Sequence, residues 1–278
     1  MQAAARDDQR DGNRVAVLGH RLAGLEAQTD NSHRAAVGDL LKPERARRLS
    51  HLRPRHVNII HVTGIEGARE ARGMVVVIDV LRSFTVSAYA LAGGARECRL
   101  VKTVAEARAL ADATPGALLC AEEDALPVEG IPISNSPTMI LEQDLQGRVL
   151  IQRSTAGTQA VAAVQGGDIF ASSLVVATAT AQACVLRNPE TLTIVASADH
   201  PEDHACARYI DAVIRGEHPD LHRLLQPLRG SERYQRALSG TWPGFPTKDL
   251  ELALVADRFA FAMPVTRESG YLSLTASF

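Results

Sequence analysis

The sequence predicts an α/β fold made of two similar three-layer units from an internal duplication, with largely parallel sheets and a site in the cleft between them. Three observations carry this reading. Short Val- and Ile-rich runs bounded by Gly or polar residues have the unbroken apolar character of strands covered on both faces. Stretches with helical spacing separate most of them, the alternation that gives a parallel sheet. The order of landmarks in the first half then recurs in the second.

Taken in order, Val57–Val62 and Met74–Val80 read as strands. Arg82-Ser83 opens a helix that ends at Gly93-Gly94, a strand lies near Cys98–Val101, and Thr103-x-x-Glu106 is a capping box before a helix. Leu118–Ala121 is the next strand, and Ser136-Pro137 supplies an N-cap and first-turn proline for a further helix. The pattern restarts at Val149–Gln152, followed by Arg153-Ser154, a helix ending at Gly166-Gly167, the strand Ile169–Ser172, a helix from Thr178 and the strand Thr193–Ala196. Arg82 and Arg153 are 71 residues apart, Gly93 and Gly166 73 apart. Asp199-x-x-Glu202 reads as another capping box. The division that follows is a flexible N-terminal extension over 1–55, a first α/β unit over 56–147, and a second over 148–278 with a C-terminal helical region.

Composition narrows the function. Across 278 residues, 30 Lys+Arg against 32 Asp+Glu leave a net charge of −2, which supplies no overall basic field for nucleic acid or an anionic membrane. The basic residues concentrate in 1–55, with 11 against 7 acidic ones, including Arg45, Arg47 and Arg48. That segment lacks the apolar core of a secretory signal, and no run in the chain is long enough to span a bilayer. The four cysteines form no C-x-x-C pair and read as structural thiols of a cytoplasmic protein. Self-association into a homo-oligomer is left open.

The strand-end loops hold the chemistry. Asp79 is a carboxylate closing an otherwise apolar strand, a placement that asks for a cation or an ion-pair partner. It is suited to hold Mg²⁺, while Arg82 and the Ser83 and Thr85 hydroxyls at the helix start suit an anion. A structural Asp79–Arg82 pair with Ser83 as N-cap fits the same spacing. In the second unit, Arg153-Ser154-Thr155-Ala156-Gly157-Thr158 offers an arginine, three hydroxyls and a glycine at the matching turn. Glu122, in Glu122-Glu123-Asp124, is a candidate metal ligand or base, and Asn135 is free to donate to a ligand.

Val76–Thr85 (VVIDVLRSFT), Glu129-Gly130 with Asn135-Ser136-Pro137, and Ser154–Thr158 (STAGT) together resemble the 2-phosphosulfolactate phosphatase family from about Val57 to Val265. The resemblance implies a Mg²⁺-dependent phosphoric monoester hydrolase acting on a small anionic phosphate ester. It carries Asp79, Arg82 and Thr85 onto the D-V-L-R-x-[TS]-[TS] motif, Glu122 onto the Glu of a G-E-R turn, and Asn135-Ser136 onto N-S-P. Ser154, Thr155, Gly157 and Thr158 fall on T-[TS]-N-G-T, and Glu202-Asp203 on a later E-D pair. On this reading Asp79, Glu122 and Asp203 hold the metal; Asp79, Arg82 and Glu122 are catalytic; and Ser83, Thr85, Asn135, Ser136, Arg153, Ser154, Thr155, Gly157 and Thr158 bind substrate. Glu123, Ala156 and Pro132 depart from the motifs, and a Glu in place of Arg is expected to weaken binding of a phosphate-sulfonate substrate. The alternative is a non-catalytic small-anion binding protein on the same fold. A dinucleotide-binding oxidoreductase is disfavoured by the lack of G-x-G-x-x-G after any strand.

Overall fold

The computed structural model describes residues 57–278; the extension over 1–55, with its arginines, lies outside the described residues. The chain begins with β1 (Asn58–Thr63), α1 (Gly64–Glu70), β2 (Met74–Ile78) and α2 (Ser83–Ala92). It continues through β3 (Glu97–Leu100), α3 (Val104–Asp112), β4 (Leu118–Glu123), the short β5 (Leu126–Pro127) and α4 (Pro137–Leu141). Then come β6 (Val149–Arg153), α5 (Gly157–Ala163), β7 (Ile169–Ser172), α6 (Ala177–Arg187), β8 (Thr191–Ala196) and α7 (Pro201–Ile214). Four short helices follow, α8 (Leu221–Leu224), α9 (Gln226–Arg229), α10 (Glu232–Leu238) and α11 (Lys248–Ala253), before the strands β9 (Met263–Glu268) and β10 (Tyr271–Leu274).

All ten strands form one sheet in the order β1-β8-β2-β7-β9-β10-β3-β6-β4-β5. Two parallel blocks, β1-β8-β2-β7 and β3-β6-β4, run in opposite directions and are joined by the antiparallel β9–β10 hairpin. The α/β class and mostly parallel sheet are as the sequence predicts, with a buried apolar cluster on each face. Val75 and Val77 of β2 enter one cluster and Met74, Val76 and Ile78 the other, the two-residue alternation of a strand covered on both sides.

Two successive units facing each other are not what forms. The strand that opens each set of repeated landmarks lies between the second and third strands of the other set: β2 between β7 and β8, and β6 between β3 and β4. Beyond the helices of the C-terminal region the chain adds β9 and β10, which fill the centre of the sheet. Pro264 in β9, and the exposed side chains at the end of that strand, hide it from a reading based on apolar runs.

Five inter-strand steps separate β2 from β6, and at roughly 20° per step the twist accumulates to about 100°. The sheet is thus far from flat. The helix α2 touches β7 of one block and β3 of the other and buries almost every side chain. At the start of α2 the two blocks meet, Ser154 Oγ donating to Ser83 Oγ at 3.0 Å. Gln152 Nε2 donates to Ser83 O at 2.8 Å and to Asn135 Oδ1 at 2.7 Å, and Ser87 Oγ donates to Gln152 Oε1 at 2.6 Å. Fully buried and mutually satisfied, these groups form a polar seam between the blocks. The Thr103–Glu106 capping box and the Ser136 cap with Pro137 are present. The four cysteines are buried and free.

Candidate active site

Because both blocks turn the carboxyl ends of their strands to the seam, a cleft of about 630 Å³ opens beside it. Asp79 after β2, Ser197 and His200 after β8, Glu122 at the end of β4, and Thr155 and Ala156 after β6 line it, together with Asn135 and Arg82. Its remaining wall comes from α10 and the loop beyond: Glu232, Arg233, Arg236, Trp242 and Phe245.

Asp79 is the most perturbed acid facing this space. Burial pushes its carboxyl up to about 6, the Ser83 N–H opposes the shift, and repulsion from Glu122 adds to it. Its Oδ1 accepts from Ser83 N at 3.0 Å. Gly157 makes room for it: a Cβ there would stand 2.6 Å from Asp79 Oδ2. Glu122 accepts from Thr155 N, from Thr155 Oγ1 at 3.1 Å and from Ala125 N at 2.6 Å, so three donors fix its orientation. Asp203 sits behind the cleft surface, accepting from Val80 N at 2.8 Å and Ser197 Oγ at 3.0 Å. Burial and then the charge of Asp79 push its carboxyl well above the ordinary range.

The arginines are placed differently from the sequence expectation. Arg82 does not pair with Asp79. Its Nη1 donates to Asp249 Oδ2 and Gly244 O, its Nη2 to Ser134 O, and its guanidinium lies 4.2 Å from the Phe245 ring centroid. Asp249 thus already matches the charge of Arg82 in a buried pair. Arg153 is not among the residues that line the cleft but sits against them, donating to the Glu122 and Lys102 carbonyls and to Thr155 Oγ1 and pairing with Glu123 at 3.5 Å. Glu123, exposed and held by Arg153, therefore does not reach the cleft, and the recognition penalty expected from it loses its geometric basis. Ala156, the other small departure, does line it.

Other expected residues hold the frame. Ser83, Ser154 and Thr158 belong to the seam, Thr158 Oγ1 donating to Ser154 O at 2.7 Å. Thr85 Oγ1 donates to Val80 O, and Ser136 caps α4 while donating to Asp249. Asn135 and Thr155 are the expected substrate-binding residues that line the cleft. The Asp199–Glu202 capping box is absent: His200 is the N-cap of α7, and Glu202 instead accepts from Arg233 Nε at 2.8 Å. With an arginine at hand, a buried carboxylate gains more from the ion pair than from a cap.

Arg233, Arg236 and Trp242 were not singled out from sequence. A pair of arginines three apart in E-R-Y-Q-R-A-L marks one helix face, yet nothing local ties that face to the strand ends of the cleft. Arg233 also donates to Leu81 O at 2.8 Å, and its charge lowers the carboxyl of Asp79. Burial, and then the charge of Arg233, pushes the His200 imidazole below its ordinary range. Among the described residues, no three His, Cys, Asp or Glu side chains are gathered in metal-ligating positions, and no helix is long and apolar enough to cross a membrane.

Comparison with known proteins agrees with the motifs. A family model described as 2-phosphosulpholactate phosphatase matches residues 60–237. A Bacillus subtilis protein named "Probable 2-phosphosulfolactate phosphatase" is 35% identical over 182 residues, covering 63% of this chain and 79% of its own length. A protein of the same name from Carboxydothermus hydrogenoformans is 36% identical over 144 residues, 50% of this chain and 60% of its own. One from Thermoplasma acidophilum is 28% identical over 186 residues, 66% and 81%. The matched span runs from β1 into α10 and takes in the strand ends that build the cleft, and on that ground the chain belongs to the 2-phosphosulpholactate phosphatase family.

Proposed function

We propose that the protein hydrolyses a small organic phosphate monoester in a Mg²⁺-dependent reaction, with 2-phosphosulfolactate or a close analogue as substrate. The observation that carries this reading is the pair of carboxylates, Asp79 and Glu122, facing one cleft at the carboxyl ends of strands from both blocks, in a chain of this family.

The donor set fits a hard divalent cation. Asp79 is raised partly by Glu122, and a cation between two mutually repelling acids relieves that cost. Asp79 Oδ1 and Glu122 Oε1 each accept one local hydrogen bond and keep a lone pair, whereas Glu122 Oε2 already accepts two. Asp79 and Glu122 would hold the ion, with Asp203 fixing the β2 end through Val80 N. Mg²⁺ usually retains several waters, so two protein ligands suffice. When bound, the ion would supply charge neutralisation to the phosphoryl oxygens.

The chain's own groups do the rest. Asn135 Oδ1 accepts from Gln152, which leaves the amide nitrogen to donate to a substrate oxygen. Arg233 adds positive charge beside Asp79, and the His200 imidazole, pushed below its ordinary range by burial, is placed to accept a proton from an attacking water. Phosphate release from 2-phosphosulfolactate, measured with Mg²⁺ and after chelation, tests the reading. Turnover lost on chelation and restored by Mg²⁺ is the expected result; absence of Mg²⁺-dependent turnover on any small phosphate ester would leave the anion-binding alternative.

A further inference from the structure

One wall of the cleft is a ladder of cations and rings. The Arg82 guanidinium lies 4.2 Å from the Phe245 centroid, Phe245 stacks on Trp242 at 5.1 Å and 21°, and the Arg236 guanidinium lies 4.4 Å from Trp242. The two ends differ in one respect. At the inner end Arg82 spends its N–H groups on Asp249, Gly244 O and Ser134 O. At the outer end no hydrogen bond or ion pair among the described residues engages the Arg236 guanidinium, and Glu232, one turn earlier and also lining the cleft, does not pair with it. An arginine lying on a ring keeps its position while its in-plane N–H fork stays open, the geometry that reads a planar or tetrahedral acid with two bonds. The nearby Arg233 is committed to Glu202 and Leu81 O.

We infer that Arg236, braced on Trp242, is the specificity-determining residue for a second acidic group of the substrate, a carboxylate or sulfonate apart from the phosphoryl group. The cleft then selects polyanionic phosphate esters over esters of neutral alcohols: the phosphoryl end lies at Asp79 and Glu122, the second acid at the outer wall. This rests on the phosphatase reading above.

Three esters separate the contributions: 2-phosphosulfolactate, 2-phospholactate, and isopropyl phosphate, which replaces the carboxylate of phospholactate by a methyl group. For the full chain with Mg²⁺, Arg236→Gln is expected to lower the preference for an acid-bearing ester over isopropyl phosphate at least tenfold, mostly through KM. Arg236→Lys, which keeps the charge but loses the fork, should recover part of that preference. Trp242 is the sole tryptophan, so its fluorescence reports on this wall directly. Phosphate-free sulfolactate should perturb the emission in the native protein and not in Arg236→Gln. A variant that loses kcat/KM equally on all three esters would reduce Arg236 to a brace for Trp242 and overturn the inference, as would an unchanged preference. If the native protein turns over none of the esters, the phosphatase reading fails, while the sulfolactate titration still decides whether Arg236 binds an acid.

Discussion

The acid facing the cleft and the acid behind Arg82 are both buried, yet removing their charges should have opposite effects. Asp79 has no arginine bonded to it, and its carboxyl is raised from 3.8 to about 6, chiefly by burial. Below about pH 3.8 it is neutral folded or unfolded, and its burial then carries no charge penalty. As pH rises through the window from 3.8 to about 6, the unfolded chain gives up its proton first, so stability declines, and above that window the full cost of the buried anion is present. Without metal, Asp79→Asn should therefore match the native protein near pH 4 and melt higher above pH 6, while phosphatase turnover falls at least about a hundredfold, on the order of 3 kcal/mol. Thermal melts at the two pH values and one rate measurement check both halves; a variant less stable at neutral pH would show that Asp79 is a structural anchor. Asp249→Asn removes the ionic partner of Arg82, whose side chain is only 3% exposed, and should destabilise by about 3–5 kcal/mol, read as a lowered midpoint in urea. The sequence shows that an acid at a strand end must be explained, because Asp79 follows an apolar run. It does not show that the partner of Arg82 arrives 167 residues later.

Among the elements, α5 places its first residue against the site. A methyl group on Gly157 would meet Asp79 Oδ2 at 2.6 Å and Ser83 Cβ at 2.9 Å. Gly157→Ala should therefore cost about 1–3 kcal/mol by overpacking and lower turnover more than its stability loss explains, because the atom displaced is on Asp79. Activity measured well below the melting temperature of the variant separates the two effects; full activity would show that the start of α5 shifts instead. Elements were legible where one local signal decides them. The apolar run of β2, the Thr103 box and the Ser136-Pro137 start needed no distant partner. The Asp199 box failed because Glu202 found Arg233 across the fold, and β9 was missed because it is a strand by virtue of its neighbours β7 and β10 rather than its own pattern. For the same reason α10, an ordinary short amphipathic helix in sequence, gave no sign that it walls the cleft.

For the molecule as a whole, the seam at Gln152 holds the two blocks in register around the site. Gln152→Ala would strip partners from Ser83 O, Ser87 Oγ and Asn135 Oδ1 in a fully buried setting. It is expected to cost about 2 kcal/mol or more, a fall in melting temperature of roughly 4–8 °C, together with reduced turnover as Asn135 loosens. A thermal scan of the variant that overlays the native one would show that α2 alone holds the blocks. The repeated order of landmarks let the sequence suggest that loops from both halves share one site, but not that the halves trade strands, since a local pattern carries no information on who lies beside whom. That trade also governs how the chain comes into being. A ribosome that has released everything up to residue 147 has made β3 and β4 without the strand that belongs between them, and β2 without either neighbour. The two blocks then remain unjoined until the β9–β10 hairpin, at the far end of the chain, emerges to bridge them. Folding is therefore expected to wait for β9 and β10 and to proceed slowly through long-range pairings, with the cleft among the last features to take shape.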